Sequence, residues 1–253
     1  MQTPRRLAVI ACEVFTREVC AEIAVSPCEI GVNFLPKGLH SLPCAMMRAK
    51  LQQAIDGVDP LSFDGIALAY GMCNNALGGL CAGALPIALP RAHDCIGVFL
   101  GSVQRHRATL EEEPGTYFQS TGWVEHGDGP GPLSQSSITH RNRMDLDRAQ
   151  LVERYGEDNA DYLMSQLAQA EHYHRCTFIH TGADPGQHSQ QAARKRAQTK
   201  GWEFREVASD LVLLRNLLHG AWDHPGIVVV PPGQRLAMCY DDRVAIAEPQ
   251  PGR

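Results

Sequence analysis

The chain has 253 residues, 44% of them apolar, and can therefore bury a substantial core without disulfide cross-links. Its formal net charge of -5 offers no basic surface, and no apolar run reaches transmembrane length, so neither nucleic acids nor membranes are expected as partners. The nine cysteines, an odd number, predict thiols or metal ligands rather than a disulfide framework. Because the apolar run 7–11 is too short for an export signal, we expect a soluble, cytoplasmic protein.

Strand and helix signals alternate over the first half of the chain. Short apolar or β-rich runs predict strands over 7–12, 29–35, 63–70 and 85–90. Apolar residues at helical spacing predict helices over 43–58 and 95–112, and Asp94 is the expected cap of the second helix. Repeated alternation of this kind is typical of a parallel sheet covered by helices.

A Gly- and Pro-rich stretch, 127–132, interrupts this pattern and predicts a linker. Two polar helices are expected over 145–155 and 158–173. A second alternating set follows, with strands over 176–180, 202–207 and 227–230 and helices over 187–200 and 211–219. The predicted fold class is α/β, with two Rossmann-like lobes that have parallel sheets and are joined by a helical segment. The expected divisions are an N-terminal α/β lobe with the Cys-rich site (1–125), a linker and helical segment (126–174), a smaller C-terminal α/β lobe (175–247) and a tail (248–253).

Three cysteines stand at the ends of predicted strands. Cys12 ends the first strand, Cys73 follows the third and Cys95 follows the fourth. Because the carboxyl ends of parallel strands meet at one edge, where ligands bind, the three thiols are expected to face the same crevice. Thiolates are ligands for zinc, the expected cofactor, or for a 4Fe-4S cluster, the alternative. His93 or His40 is expected as the fourth ligand or as the base.

Backbone and polar groups nearby predict contacts with a cofactor or substrate. The loop 71–79 is glycine-rich, and Gly71 and Asn74 are expected to contact the cofactor. The loop lacks both the dinucleotide glycine spacing and the P-loop ending, which weighs against a nucleotide. Gln234 and Arg235 follow a strand of the second lobe and are expected to close over the crevice, with hydrogen bonds to a polar or anionic small-molecule substrate.

A metal-free cysteine enzyme is an alternative prediction for the same segment. A cysteine at a helix N-terminus has a lowered pKa, so Cys95 would be the nucleophile, His93 its base and Asp94 the helix cap. Catalytic partners normally converge from separate segments, however, and these three residues are nearly adjacent. The other cysteines are expected to be inert thiols, namely Cys20, Cys28, Cys44, Cys81, Cys176 and Cys239.

Several short segments resemble the bacterial and archaeal family named domain of unknown function 1638 (DUF1638). The segments that carry this resemblance are Ile10-Ala11-Cys12-Glu13, Gly38-Leu39-His40, Tyr70-Gly71-Met72-Cys73-Asn74-Asn75, Pro90-Arg91-Ala92-His93-Asp94-Cys95, Gly122-Trp123 and Val230-Pro231-Pro232-Gly233-Gln234. The chain departs from the family pattern at Asn75, where the family often has glycine. The resemblance implies a place beside corrinoid-dependent methyl transfer in one-carbon metabolism, with a corrinoid protein or a methyltransferase as partner.

The expected function is therefore that of a metal-dependent enzyme of the methyltransferase type, with substrate bound between two lobes. Zinc held by Cys and His is a common means of making a thiol nucleophilic toward a methyl group, which agrees with the context that the resemblance implies. A second expectation is a non-catalytic carrier of a metal, corrinoid or cluster for a corrinoid methyltransferase system. The metal-free enzyme built on Cys95 is the third.

Overall fold

The fold was analysed in a computed structural model, which describes residues 5–73, 75–127, 131–141, 147–169 and 173–250, without the side chains of 139 and 165–169. The strands are β1 Arg6–Cys12, β2 Glu29–Leu35, β3 Gly65–Ala69, β4 Ile87–Pro90, β5 Thr116–Gln119, β6 Arg175–His180, β7 Glu203–Ala208, β8 Ile227–Val230, β9 Gln234–Met238 and β10 Ala245–Pro249. The α-helices are α1 Thr16–Ile23, α2 Cys44–Asp56, α3 Cys95–Leu100, α4 Val103–Glu112, α5 Thr121–Glu125, α6 Ile138–Arg141, α7 Arg148–Tyr155, α8 Glu157–Gln169, α9 His188–Lys200 and α10 Val212–Leu218. Short 3₁₀ turns lie at Glu13–Phe15, Lys37–Ser41, Gly131–Ser136 and Pro185–Gln187.

The larger sheet has five strands in the order β2-β1-β3-β4-β8. Its first four strands are parallel, and β8 runs antiparallel to β4. Residues 7–11 of β1 are buried on both faces, which is why this strand has a continuous apolar run rather than an alternating one. Leu51 of α2 belongs to the core on one face, and Val19 of α1 and Leu214 of α10 belong to the core on the other.

A smaller sheet contains the parallel strands β5-β6-β7, and β9 and β10 form an antiparallel hairpin. The prediction of an α/β protein with parallel sheets is confirmed. The sheets do not follow the predicted division at residue 125, because β5 joins the smaller sheet and β8 joins the larger one. Hydrophobic patterning identifies a strand but not the sheet in which it pairs. Two Rossmann-like lobes are therefore not confirmed.

The helix predicted over 95–112 is broken into α3 and α4. Gly101 ends α3 with a left-handed φ of 80°, a conformation that glycine adopts without strain. Ser102 then caps α4, since its side chain accepts a hydrogen bond from the backbone N–H of Arg105 at 3.0 Å. The Gly-Ser pair thus ends one helix and begins the next, so Cys95 lies at the start of a short helix.

Parts of the predicted linker and tail lie outside the described residues. Residues 128–130, 142–146 and 170–172, within the predicted linker and helical segment, lie outside the described residues, as do 251–253 of the predicted tail. Residues 248 and 249 of that tail pair with β9 as part of β10. Among the described helices, none is both long and apolar enough to cross a membrane.

Candidate functional site

Cys12, Cys73 and Cys95 lie at the edge where β1, β3 and β4 end; of the three, Cys73 and Cys95 line the cavity at this edge and Cys12 does not. Cys12 is the last residue of β1, Cys73 lies just beyond β3, and Cys95 begins α3 just beyond β4. The segment after β3 is held against the segment after β4, because the backbone N–H groups of Met72 and Cys73 donate to the carbonyls of Ala92 and His93, both at 3.0 Å. We call these three cysteines the thiol cluster.

The three cysteines of the thiol cluster are half-buried, and they influence one another electrostatically. Burial raises the pKa of Cys12 to about 12. Burial also raises the pKa of Cys73, and the neighbouring Cys12 and Asp94 raise it further. The pKa of Cys95 lies well above its usual range for the same reasons, burial first and then the charges of Asp94 and Cys73. Ionising one thiol therefore opposes ionising the others, unless a cation lies among them.

Two sulfur atoms of the cluster accept N–H hydrogen bonds. The indole Nε1–H of Trp123 donates to Sγ of Cys95 at 3.3 Å. The backbone N–H of Val14 donates to the sulfur of Cys12 and lowers its pKa, although burial outweighs this effect. Hydrogen bonds of this kind stabilise the thiolate form and orient sulfur ligands in metal sites.

Tyr70 is buried beside the cluster. Its hydroxyl lies near the thiol of Cys12 and has no hydrogen-bond partner in the described part of the chain. Burial is the main reason why the pKa of Tyr70 is well above its usual range. The hydroxyl therefore stays protonated beside the thiol of Cys12.

Lys37 is also buried at this edge, with 2% of its surface exposed. Its Nζ lies 4.5 Å from the centroid of the Trp123 ring, and its backbone N–H donates to Oε1 of Glu13 at 2.7 Å. The charge of Lys37 lowers the pKa of Cys12, against the larger effect of burial, which raises it. The same charge lowers the pKa of His40, in the same direction as burial, which is the larger cause there. The cluster thus has a cationic neighbour that the sequence did not predict.

His40 and His93 are placed differently with respect to solvent. His40 is half-buried and packs edge-on against Trp123, with 5.3 Å between ring centroids. Its Nδ1–H donates to the carbonyl of Lys37 at 2.7 Å, so its Nε2 has the lone pair. Burial lowers the pKa of His40, which favours the neutral ring. His93 is exposed, and its carbonyl is the acceptor for Cys73.

Asp94 caps α3, as predicted, and the backbone N–H of Gly97 donates to its Oδ1 at 2.9 Å. The predicted effect on Cys95 is absent: its pKa is raised rather than lowered, because burial and the charge of Asp94 outweigh a helix of only six residues. Cys95 is therefore a protonated thiol at neutral pH when no cation is bound. This finding weighs against the metal-free cysteine nucleophile.

A cavity of about 660 Å³ lies beside the thiol cluster. One part of its wall belongs to the larger sheet and comprises His40, Cys73, Asn75, His93, Asp94, Cys95 and Ile96. The other part is largely aromatic and comprises Thr116, Tyr117, Phe118, Trp123 and Tyr173. The volume suits a small molecule. Two members of the cluster, Cys73 and Cys95, thus face a space in which a substrate can bind.

The donor types of the cluster are those that bind thiophilic metals, although their present arrangement does not hold one. Three thiols, N–H donors to two of the sulfur atoms and a nearby neutral imidazole form a set suited to zinc or to an iron-sulfur cluster. Within the ranges that the structure describes, no three His, Cys, Asp or Glu side chains are already grouped tightly enough to hold an ion. The thiols would have to draw together on binding, as is common because metal binding and local folding are coupled.

Gln234 and Arg235 do not line this cavity. Arg235 pairs with Glu248, Nε to Oε1 at 2.7 Å. The reason is that β8 runs antiparallel to β4, so that Val230, at the end of β8, lies opposite Ile87, at the beginning of β4. The loop after β8 therefore leaves the sheet at the edge opposite the thiol cluster. A rule for parallel strands placed these two residues at the wrong edge.

Gly71 has a structural role at the site. A Cβ atom on Gly71 would lie 2.5 Å from Cα of Asp94, closer than non-bonded atoms approach, so only glycine lets the two segments touch. Cys73, two residues later, has a left-handed φ of 40°. Asn74, which was expected to contact the cofactor, lies outside the described residues.

Three residues at the site were not predicted as functional: Lys37, Tyr70 and Trp123. Lys37 follows β2 and Tyr70 follows β3, so their position at the carboxyl edge was available as a signal. Trp123 follows β5 of the other sheet, and no feature of the sequence indicates that this sheet faces the thiol cluster.

Comparisons with known proteins gave one match. A family model described as "Protein of unknown function (DUF1638)" matches residues 34–218. This range includes Lys37, Cys73 and Cys95 and begins after Cys12. No curated protein and no solved structure matches the chain.

Proposed function

The chain belongs to the DUF1638 family of proteins of unknown function; we propose, from the donor types at the site, that it binds a thiophilic metal at Cys12, Cys73 and Cys95 and, from the context that the resemblance implies, that it acts in methyl transfer. The observation that carries the proposal is the thiol cluster: three sulfur atoms from three separate strand ends, in mutual electrostatic contact beside a cavity. Inert core thiols have no reason to converge in this way.

Three protein thiolates leave one coordination position for a substrate. Zinc with three cysteines, or a 4Fe-4S cluster with one iron free of protein ligands, has this property. The cavity beside Cys73 and Cys95 is where a substrate thiol would enter. When bound, the metal would lower the pKa of that thiol and so make it nucleophilic at neutral pH.

The residues around the cavity support such a reaction. His40, held neutral by burial, would accept the proton of the substrate thiol at Nε2, in place of its long contact of 3.5 Å with Oγ of Ser41. A sulfur–carbon bond would then form, the bond between the methyl carbon and its donor would break, and the electron pair of that bond would leave with the donor. The aromatic wall, which includes Tyr117 and Tyr173, would exclude water from the methyl group.

The free thiols fit a reducing compartment. All nine cysteines lie within the described residues, and none is in a disulfide. A cytoplasmic location remains part of the proposal. If the chain binds metal but turns over no methylated thiol or amine, and copurifies with a corrinoid protein, the carrier function would replace the enzymatic one.

Cobalt substitution tests the proposed open site. We expect the metal-free chain to bind about one Co²⁺ per molecule and to develop strong sulfur-to-cobalt charge-transfer absorption with the visible bands of a tetrahedral ion, since thiolates impose that geometry. A small thiol added afterwards should shift these bands, because it takes the open position. Weak octahedral bands that a thiol does not change would contradict the proposal.

A further inference from the structure

Aromatic rings form much of the wall of the cavity beside the thiol cluster. Tyr117, Phe118, Trp123 and Tyr173 line it, together with His40. Four of these rings stand in two nearly perpendicular pairs. Tyr117 and Tyr173 meet at 69° and His40 and Trp123 at 79°, each pair with 5.3 Å between ring centroids. Rings at such angles border the cavity with faces as well as edges.

The fixed charge on the cavity wall is negative. Among the lining residues that the structure describes, Asp94 is the only acidic one, and none is Lys or Arg. The side chain of Asp94 is 44% exposed, and its Oδ1 accepts the backbone N–H of Gly97 at 2.9 Å and lies 3.6 Å from Nδ1 of His106. A ligand that enters the cavity thus meets a carboxylate.

Two of the wall rings already contact cations from residues outside the lining. Nζ of Lys37 lies 4.5 Å from the centroid of the Trp123 ring, and the guanidinium of Arg196 lies 5.7 Å from that of the Tyr117 ring. Such contacts are favourable because the faces of aromatic rings have a negative potential. Both residues also add positive charge near the wall, so the carboxylate of Asp94 is needed for a further cation to bind.

Aromatic faces beside a carboxylate are suited to a quaternary ammonium group. This cation has no N–H to donate, and aromatic rings attract it through their faces while its alkyl groups pack against them. A nearby carboxylate adds attraction over a longer range. A primary ammonium would have to give up hydrogen bonds to water that aromatic rings do not replace.

We infer that the cavity binds a small molecule with a quaternary ammonium group, held by aromatic rings that include Tyr117 and Tyr173 and by the charge of Asp94. This binding requires no metal. Its place in the reaction rests on the proposed function, in which the bound molecule would be the methyl donor. Transfer of one methyl group to a thiolate sulfur would leave a neutral tertiary amine, with the electron pair of the broken carbon–nitrogen bond on the nitrogen.

The test compares choline with its uncharged carbon analogue, in which a tert-butyl group replaces the trimethylammonium group. The two molecules have nearly the same shape, so any difference in affinity comes from the charge. Titration calorimetry on the whole metal-free chain, without oxygen and at constant ionic strength, measures both. We expect choline to bind about 10-fold more tightly than the analogue, as cation–π contacts in a largely desolvated site provide. Equal affinities, or no heat of binding with millimolar choline, would overturn the inference.

Three variants locate the binding. Asp94→Asn keeps a residue that caps helices but removes the charge, and Tyr173→Leu keeps apolar surface but removes the ring, so each should weaken choline several-fold and the analogue little. Tyr173→Phe keeps the ring and should bind choline normally. Tyr240→Leu is the matched control, at a position that is 93% exposed and outside the cavity wall.

The outcomes separate this inference from the proposed function. Choline binding that neither Asp94→Asn nor Tyr173→Leu weakens would lie elsewhere and would overturn the inference. A chain that takes up metal but does not bind choline would overturn the inference alone. A chain that binds choline in the cavity but takes up no metal would overturn the proposed function and leave the cation site standing.

Discussion

Cys73→Ser should abolish stoichiometric metal binding, and with it any methyl transfer. A serine hydroxyl does not ionise near neutral pH and is a hard oxygen donor, so it cannot replace a thiolate on zinc or iron. Cys73 lines the cavity and interacts electrostatically with Cys12 and Cys95, so its loss should disrupt the site. The measurement is metal content per chain after anaerobic purification, together with turnover of a methylated substrate.

Cys239→Ser is the control for this experiment. Cys239 is buried, with 9% of its surface exposed, whereas Cys73 is half-buried, and Cys239 lies just beyond β9. The cavity wall does not include it. Its replacement should leave metal content unchanged. If both variants lost metal equally, or neither did, the thiol cluster would not be the site.

Gly71→Ala should damage both stability and the site. The new Cβ would overlap the backbone of Asp94, and neither segment can retreat without breaking the hydrogen bonds from Met72 and Cys73 to Ala92 and His93. Overpacking of this kind typically costs about 1–3 kcal/mol, and more where the neighbour is backbone. We expect a lower midpoint of urea denaturation and a weaker zinc affinity, because Cys73 moves away from Cys95.

Gly83→Ala provides the comparison for Gly71→Ala. A Cβ at Gly83 would meet no atom within 4 Å, and Gly83 does not have a left-handed φ. This substitution should be neutral or slightly stabilising, since alanine restricts the unfolded chain. A Gly71→Ala protein with the urea midpoint and zinc affinity of the Gly83→Ala protein would show that close contact between the two segments is not what holds the thiols together.

The sequence was sufficient to predict the strands of the larger sheet and the position of the three cysteines near one of its edges. Buried parallel strands such as β1 have continuous apolar runs, and the rule that their carboxyl ends share an edge then brings Cys12, Cys73 and Cys95 together. The rule applies only to parallel strands. It failed for Gln234 and Arg235, because an apolar run such as β8 contains no information about its direction.

The sequence does not predict how the two sheets contact each other. The placement of Trp123 against Lys37 and Cys95 depends on how β5 and α5 pack against the end of the larger sheet. No local pattern encodes that packing. The direction of the Cys95 pKa shift was missed for the same reason, since it depends on burial by distant residues more than on the helix that Cys95 begins.

Metal analysis tests the central claim most directly. The chain would be purified without oxygen and without a metal-binding tag, and its elemental content would be measured with its visible absorption spectrum. The proposal predicts either about one zinc per chain without colour, or iron and sulfide with a brown colour, because both satisfy three thiolates and one open position. A folded chain that contains neither metal and takes up neither when it is supplied would contradict the proposed function.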